Sequence, residues 1–119
     1  MKNNLTASLG IILLAGCAST NVVKLNDKSY PAKPAGCAIK VMTQIPNTLK
    51  YEEIALLSAR SGGNIFASDS VEAIIPDLKE QACELGADAI IMRDAKEGGM
   101  NWVGPKTRAE ASATAIKFL

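Results

Sequence analysis

The sequence predicts an α+β domain in the order strand–strand–helix–strand–strand, with one helix packed on a small β-sheet. Three observations lead there. Four short segments with strand-like apolar patterns occupy residues 37–42, 51–61, 87–94 and 107–118. A single helical stripe, Val71, Ile74, Ile75, Leu78, Ala82 and Leu85, lies between the second and third of them. Glycine-rich breaks, Gly62-Gly63-Asn64 and Gly98-Gly99, punctuate the chain.

The first strand, Cys-Ala-Ile-Lys-Val-Met from Cys37, alternates and places Ile39 and Val41 on one face. Pro46 and Asn47 break the pattern after Met42. The second strand holds Ile54-Ala55-Leu56-Leu57, a continuous run expected to be buried on both faces for part of its length. Asp69 with Glu72 three residues on resembles a capping box at the helix start. Gly86 fits the residue after the helix end, where a positive φ is wanted. Pro76 conflicts with an uninterrupted helix: it either kinks the helix or sits in its first turn. The third strand carries Ile90-Ile91-Met92. The fourth has a face of Ala109, Ala111, Ala113 and Ala115, small enough for a helix or second sheet to approach closely.

The N-terminus reads as an address rather than as fold. Lys2 lies in a short polar region, Leu5 to Ala15 is largely apolar, and Ala15-Gly16 supplies small residues before Cys17. The apolar stretch is about half the ~20 residues that a spanning helix needs, so a cleaved export signal is expected instead. Leu14-Ala15-Gly16-Cys17 resembles the lipobox of bacterial lipoproteins. The resemblance implies cleavage between Gly16 and Cys17, diacylglycerol on the Cys17 sulfur, and acylation, typically palmitate, of the new amino group. Each buried CH₂ of such chains contributes ~0.8 kcal/mol, so several chains on one residue hold stably where one would not. Ala18 rather than Asp after the cysteine points by analogy to the outer membrane, facing the periplasm. The organisation expected is a signal at 1–16, a lipidated Cys17 with a tether over 17–36, and a domain at 37–119. The tether is expected from its Asn, Ser, Lys and Pro content, with Pro31 and Pro34 favouring extended backbone; Val22-Val23 or Tyr30 could instead dock on the domain.

Composition removes several functional classes. Lys2 is the one charge in the signal, so the mature chain is formally neutral, with no dense basic run to attract nucleic acid. The chain has no histidine, which takes away the usual general base and the commonest metal ligand. No catalytic residue, metal site or cofactor is assigned. Glu52, Glu53, Asp69, Glu72, Asp77, Glu80, Glu84 and Asp88 are scattered and read as solvated faces and caps.

Tyr51-Glu52-Glu53-Ile54-Ala55, then Ala82-Cys83-Glu84-Leu85-Gly86-Ala87-Asp88-Ala89-Ile90-Ile91, then Ala113-Thr114-Ala115-Ile116 resemble the YbjQ/RcsF-like superfamily of small α/β domains. The resemblance covers roughly residues 37–118. It implies a non-enzymatic envelope domain that binds a partner or senses stress, or alternatively a self-assembling domain of the YbjQ-like type. RcsF-like domains are stapled by two disulfides, whereas this mature chain offers Cys37 and Cys83 besides Cys17, enough for one.

Export would place Cys37 and Cys83 in an oxidising compartment, where pairing is expected. With Leu78, Ala82 and Leu85 facing the core, Cys83 points about 130° away at 100° per residue, so it is not placed as a simple core hydrophobe. A structural disulfide, two separate thiols and a redox-active pair all remain open from sequence. In the glycine-rich loop, Trp102 with Met100 is either an anchor for a partner or a hairpin connection folded over the sheet. The implied partners are the membrane, through lipid on Cys17, and an envelope protein or a second copy of the chain.

Overall fold

A computed structural model describes residues 19–62, 70–99 and 107–119. The fold is α+β, one helix on a five-stranded mixed sheet. Its elements are β1 (Ser19–Lys24), β2 (Lys40–Met42), β3 (Tyr51–Arg60), α1 (Val71–Glu84), β4 (Ala89–Lys96) and β5 (Glu110–Phe118). The strand order is β1-β3-β5-β4-β2. All neighbours are antiparallel except β2 and β4, which run parallel.

One strand exceeds the expected four, and it corrects the tether. Ser19–Lys24 pairs with β3 from Ser19↔Arg60 to Lys24↔Ala55. Its polar composition hid a half-buried edge strand, in which Val22 packs on the core while Asn21 and Val23 face the other side. Residues 25–39 then form a strap that leads from one edge strand to the other and lies against the end of α1. Lys33 donates its backbone N–H to the Cys83 carbonyl at 2.8 Å.

The helix begins one residue later than the Asp69/Glu72 box requires. Asp69 lies outside the described residues; Ser70 is the cap, accepting from the Ala73 N–H at 3.2 Å. Glu72 is then at the second helical position, favourable to the dipole but not the reciprocal partner of a capping box. Glu97 accepts the Val71 N–H at 3.0 Å, so two of the helix's otherwise unpaired N–H groups are met by side chains. Pro76 sits inside α1 rather than in its first turn. It removes the bond to the Glu72 carbonyl, on a side of the helix where both residues are exposed.

At the other end, Gly86 at φ +73° donates to the Cys83 carbonyl and Ala87 donates to the Ala82 carbonyl, at 3.1 and 2.9 Å. These two bonds are a Schellman motif. Gly86 is required twice over: a Cβ there would lie 2.5 Å from the Pro31 carbonyl oxygen of the strap.

Ile74, Leu78 and Ala82 of α1 are buried against Ala55, Leu57 and Ala59 of β3, Ile90 of β4 and the alanine row Ala109, Ala111, Ala113 and Ala115. The small side chains on β5 leave room for the Ile and Leu chains of the helix, each contributing about 1.5–3 kcal/mol on full burial. A smaller cluster, Met42, Ala89, Ile91 and Ile116, lies on the opposite face, beneath Ile45 and Leu49.

Two sequence expectations about strand faces change. Val41, expected beside Ile39 in the core, is 37% exposed on the edge strand β2, while Ile39 is buried in the main core and Met42 in the cluster on the other face. Leu56 is 45% exposed although Ile54, Ala55 and Leu57 are buried. A register shift between Glu53 and Ala55 turns Ile54 and Ala55 toward the same core, so the apolar run records an irregular strand rather than one covered on both faces.

Candidate functional site

Cys37 and Cys83 are joined as a disulfide, with Cα atoms 6.0 Å apart across 46 residues of sequence. The bond fixes the strap to the last turn of α1. Cys83 is 2% exposed and belongs to the main core, which corrects the expectation that it lies off the buried stripe. The helix is covered on two sides, by the sheet and by the strap, and a stripe counted against a sheet alone misses the second.

Polar contacts seat the rest of the strap. Glu52 at the start of β3 receives the Tyr30 hydroxyl, the Lys28 ammonium at 3.0 Å and the Asn26 amide at 3.3 Å. Asp88 receives Lys33 at 2.7 Å and the Phe118 backbone N–H at 2.8 Å, with Lys117 at 3.7 Å. Lys117 also donates to the Gly86 carbonyl at 3.1 Å and lies 5.4 Å from the centre of the Tyr30 ring. The hydrogen bonds from Tyr30 and then Lys28 hold the Glu52 carboxyl below the ordinary range. Burial pushes the Asp88 carboxyl upward, but Lys33, the Phe118 N–H and Lys117 together outweigh it and leave it low. Sequence marked Glu52 and Asp88 only as scattered acids; no local pattern reveals that a strap twenty or more residues upstream arrives with cations and a phenol.

The face of the sheet away from α1 is only partly covered. Beyond the Ile45 and Leu49 cover, Val23 and Leu56 are 52% and 45% exposed and pair across β1 and β3. With Asn21, Ser58, Ser112 and Arg93 they line a shallow concavity of about 230 Å³. Arg93 is held over this face by Thr114 Oγ1 and Glu53 Oε1, each at 3.0 Å. An apolar pair beside an oriented guanidinium suits a protein surface better than a buried small molecule, since the depression is open and shallow.

Gly16, Cys17, Met100 and Trp102 lie outside the described residues. The strands flanking Met100 and Trp102, β4 and β5, do form an antiparallel pair, extended by a bridge between Gly99 and Thr107. Among the described residues no group of three or more Cys, Asp or Glu side chains converges as a metal site, and no helix is long and apolar enough to cross a membrane.

No family model matches the chain, and no curated protein matches it. Among solved structures it is similar to the virulence factor FvfA of Francisella, with a TM-score of 0.58 and 12% identity over 82% of this chain and 96% of that one. At that identity the likeness is one of fold.

Proposed function

We propose that the protein is a lipid-anchored lipoprotein of the bacterial envelope, with an RcsF-like domain that binds a partner or senses stress rather than catalysing a reaction. The partition of its three cysteines carries this reading. Cys17 ends Leu14-Ala15-Gly16-Cys17, while Cys37 and Cys83 take each other. A disulfide is at home in the oxidising compartment that an export signal reaches. The partner surface would be the open sheet face around Val23, Leu56 and Arg93, and the anchoring membrane the outer one, facing the periplasm. Trp102 and Met100 remain candidate partner contacts on sequence grounds.

Growth with a clickable palmitate analogue tests the anchor. The unmodified chain should carry label and float with membranes, and Cys17→Ser should do neither; label that persists in Cys17→Ser overturns the reading. A photocrosslinker at Leu56 in intact envelopes tests the domain. A foreign protein in the adduct supports binding. Adducts only between copies favour the second reading, self-assembly through the exposed Val23–Leu56 pair.

A further inference from the structure

We propose that the domain stands on lipid headgroups by one end of its sheet, where β1 and β5 begin and β3 and β4 finish, holding the strap end away from the membrane. This deepens, and rests on, the reading of Cys17 as lipid-bearing.

Ser19 is the first residue of β1, and Ala18 alone separates it from Cys17. Two residue steps reach at most about 7 Å. No length of slack chain intervenes, because β1 is fixed from its first residue by pairing with β3, and Gln81 of α1 donates to Thr20 Oγ1 at 3.0 Å. A lipid at Cys17 therefore holds the sheet itself.

The register says which end it holds. Ser19 pairs with Arg60, Arg60 with Glu110, and Glu110 with Lys96, so these residues form one row. In that row and beside it, Arg60, Lys96 and Arg108 are exposed cations. Arg60 is paired with Glu110, and Lys96 and Arg108 stand beside the exposed acids Asp94 and Glu97, the latter accepting the Val71 N–H, so the charges of the described residues at this end balance. A balanced end neither attracts nor repels anionic headgroups, so the short link to Cys17 decides which end faces them. The opposite end, where Tyr51 opens β3 and pairs with Phe118 of β5, lies at the far end of the ten residues of β3, about 30 Å away at roughly 3.3 Å per residue. The strap and Lys50 belong to that far end. A partner on the open face must then present itself within about 30 Å of the bilayer, the span of one strand.

The test uses the full lipidated chain in vesicles of phosphatidylethanolamine and phosphatidylglycerol that carry a headgroup-tethered quencher. Since Cys37 and Cys83 are paired and Cys17 is acylated, Lys96→Cys or Lys50→Cys supplies a single free thiol for a fluorophore. Quenching should be several-fold greater at position 96 than at position 50. A third variant inserts about twelve Gly/Ser residues between Ala18 and Ser19, a linker with an r.m.s. reach of roughly 20 Å. It should still float with the vesicles and lose the difference. Equal or reversed quenching in the chain without the insert overturns the orientation while leaving the anchor intact, as does a difference that survives the insert. A chain that fails to float overturns the lipid reading of Cys17, and the orientation with it.

Discussion

Replacing Cys37 by Ser and Cys83 by Ala removes the staple while sparing the core a new buried hydroxyl, since Cys83 is almost fully buried. The bond closes a loop across 46 residues. On the chain-entropy account that loop restricts the unfolded chain by about 13–14 cal/mol/K, or roughly 4 kcal/mol at 25 °C. A domain of this size has a total stability of about 5–15 kcal/mol, so the loss is a large share of it. At about 4–8 °C per kcal/mol, the midpoint of thermal unfolding should fall by some 15–30 °C. Urea unfolding gives the free energy, with the slope fitted separately because an uncrosslinked unfolded chain exposes more surface. Hydrogen exchange adds the location: the Lys33 amide, bonded to the Cys83 carbonyl, should lose protection before the paired amides of β3 and β5. A loss below about 1 kcal/mol would refute the loop-closure reasoning, being less than such bonds ordinarily contribute. Two titratable thiols in the denatured, unreduced protein would refute the bond itself.

Acid should release the strap. Glu52 and Asp88 are held below their ordinary values in the folded chain, so their contribution is fully present above the unfolded carboxylate range near pH 4 and is lost as pH falls through the lower folded values. Exchange of strap amides should accelerate on that limb, and Asp88→Asn should flatten it; an unchanged limb would sink the assignment. Gly86→Ala forces a side chain into a positive φ and against the Pro31 carbonyl, and should cost at least about 1–3 kcal/mol in urea unfolding. Ser70→Ala removes the N-cap bond and should cost about 1 kcal/mol by the same measurement. Leu56→Ser changes a half-exposed residue on the open face, so stability should move by under about 1 kcal/mol while crosslinked partner recovery falls sharply.

The elements with regular local signatures were legible in the sequence. Ala109 to Ala115 showed a small-residue face, and that face lies beneath the helix. Gly86 announced the helix end by the φ it needs. What escaped was non-local. Ser19–Lys24 becomes a strand because β3 offers it an edge; alone it has two valines among polar residues, and composition reads it as a tether. Cys83 is buried because a strap from far upstream covers a second side of the helix, which a periodicity count cannot include. Leu56 is exposed because it alternates, between Ala55 and Leu57, onto the face that no element covers there, which a continuous apolar run does not announce. Glu52 and Asp88 become a docking pair only once the strap has crossed between the two edges of the sheet.

Those two edges differ in a way that separates two modes of association. An open sheet edge is a template for another strand. β2 is blunted by having only three residues, whereas β1 has six and carries its N-terminus two residues from Cys17. If copies of the chain associate by extending the sheet, they do so along β1, the longer of the two edge strands. Such pairing leaves Leu56 and Arg93 uncovered, because both lie on a face and not on the edge. A partner that docks over Val23 and Leu56 does the reverse: it covers the face and leaves the outer amides of β1 to exchange with water. Protection of β1 amides with Leu56 still accessible therefore belongs to edge-to-edge pairing of copies. A covered Leu56 with exchanging β1 amides belongs to docking on the face, and the Leu56 crosslink then says whether the occupant is a foreign protein or a second copy.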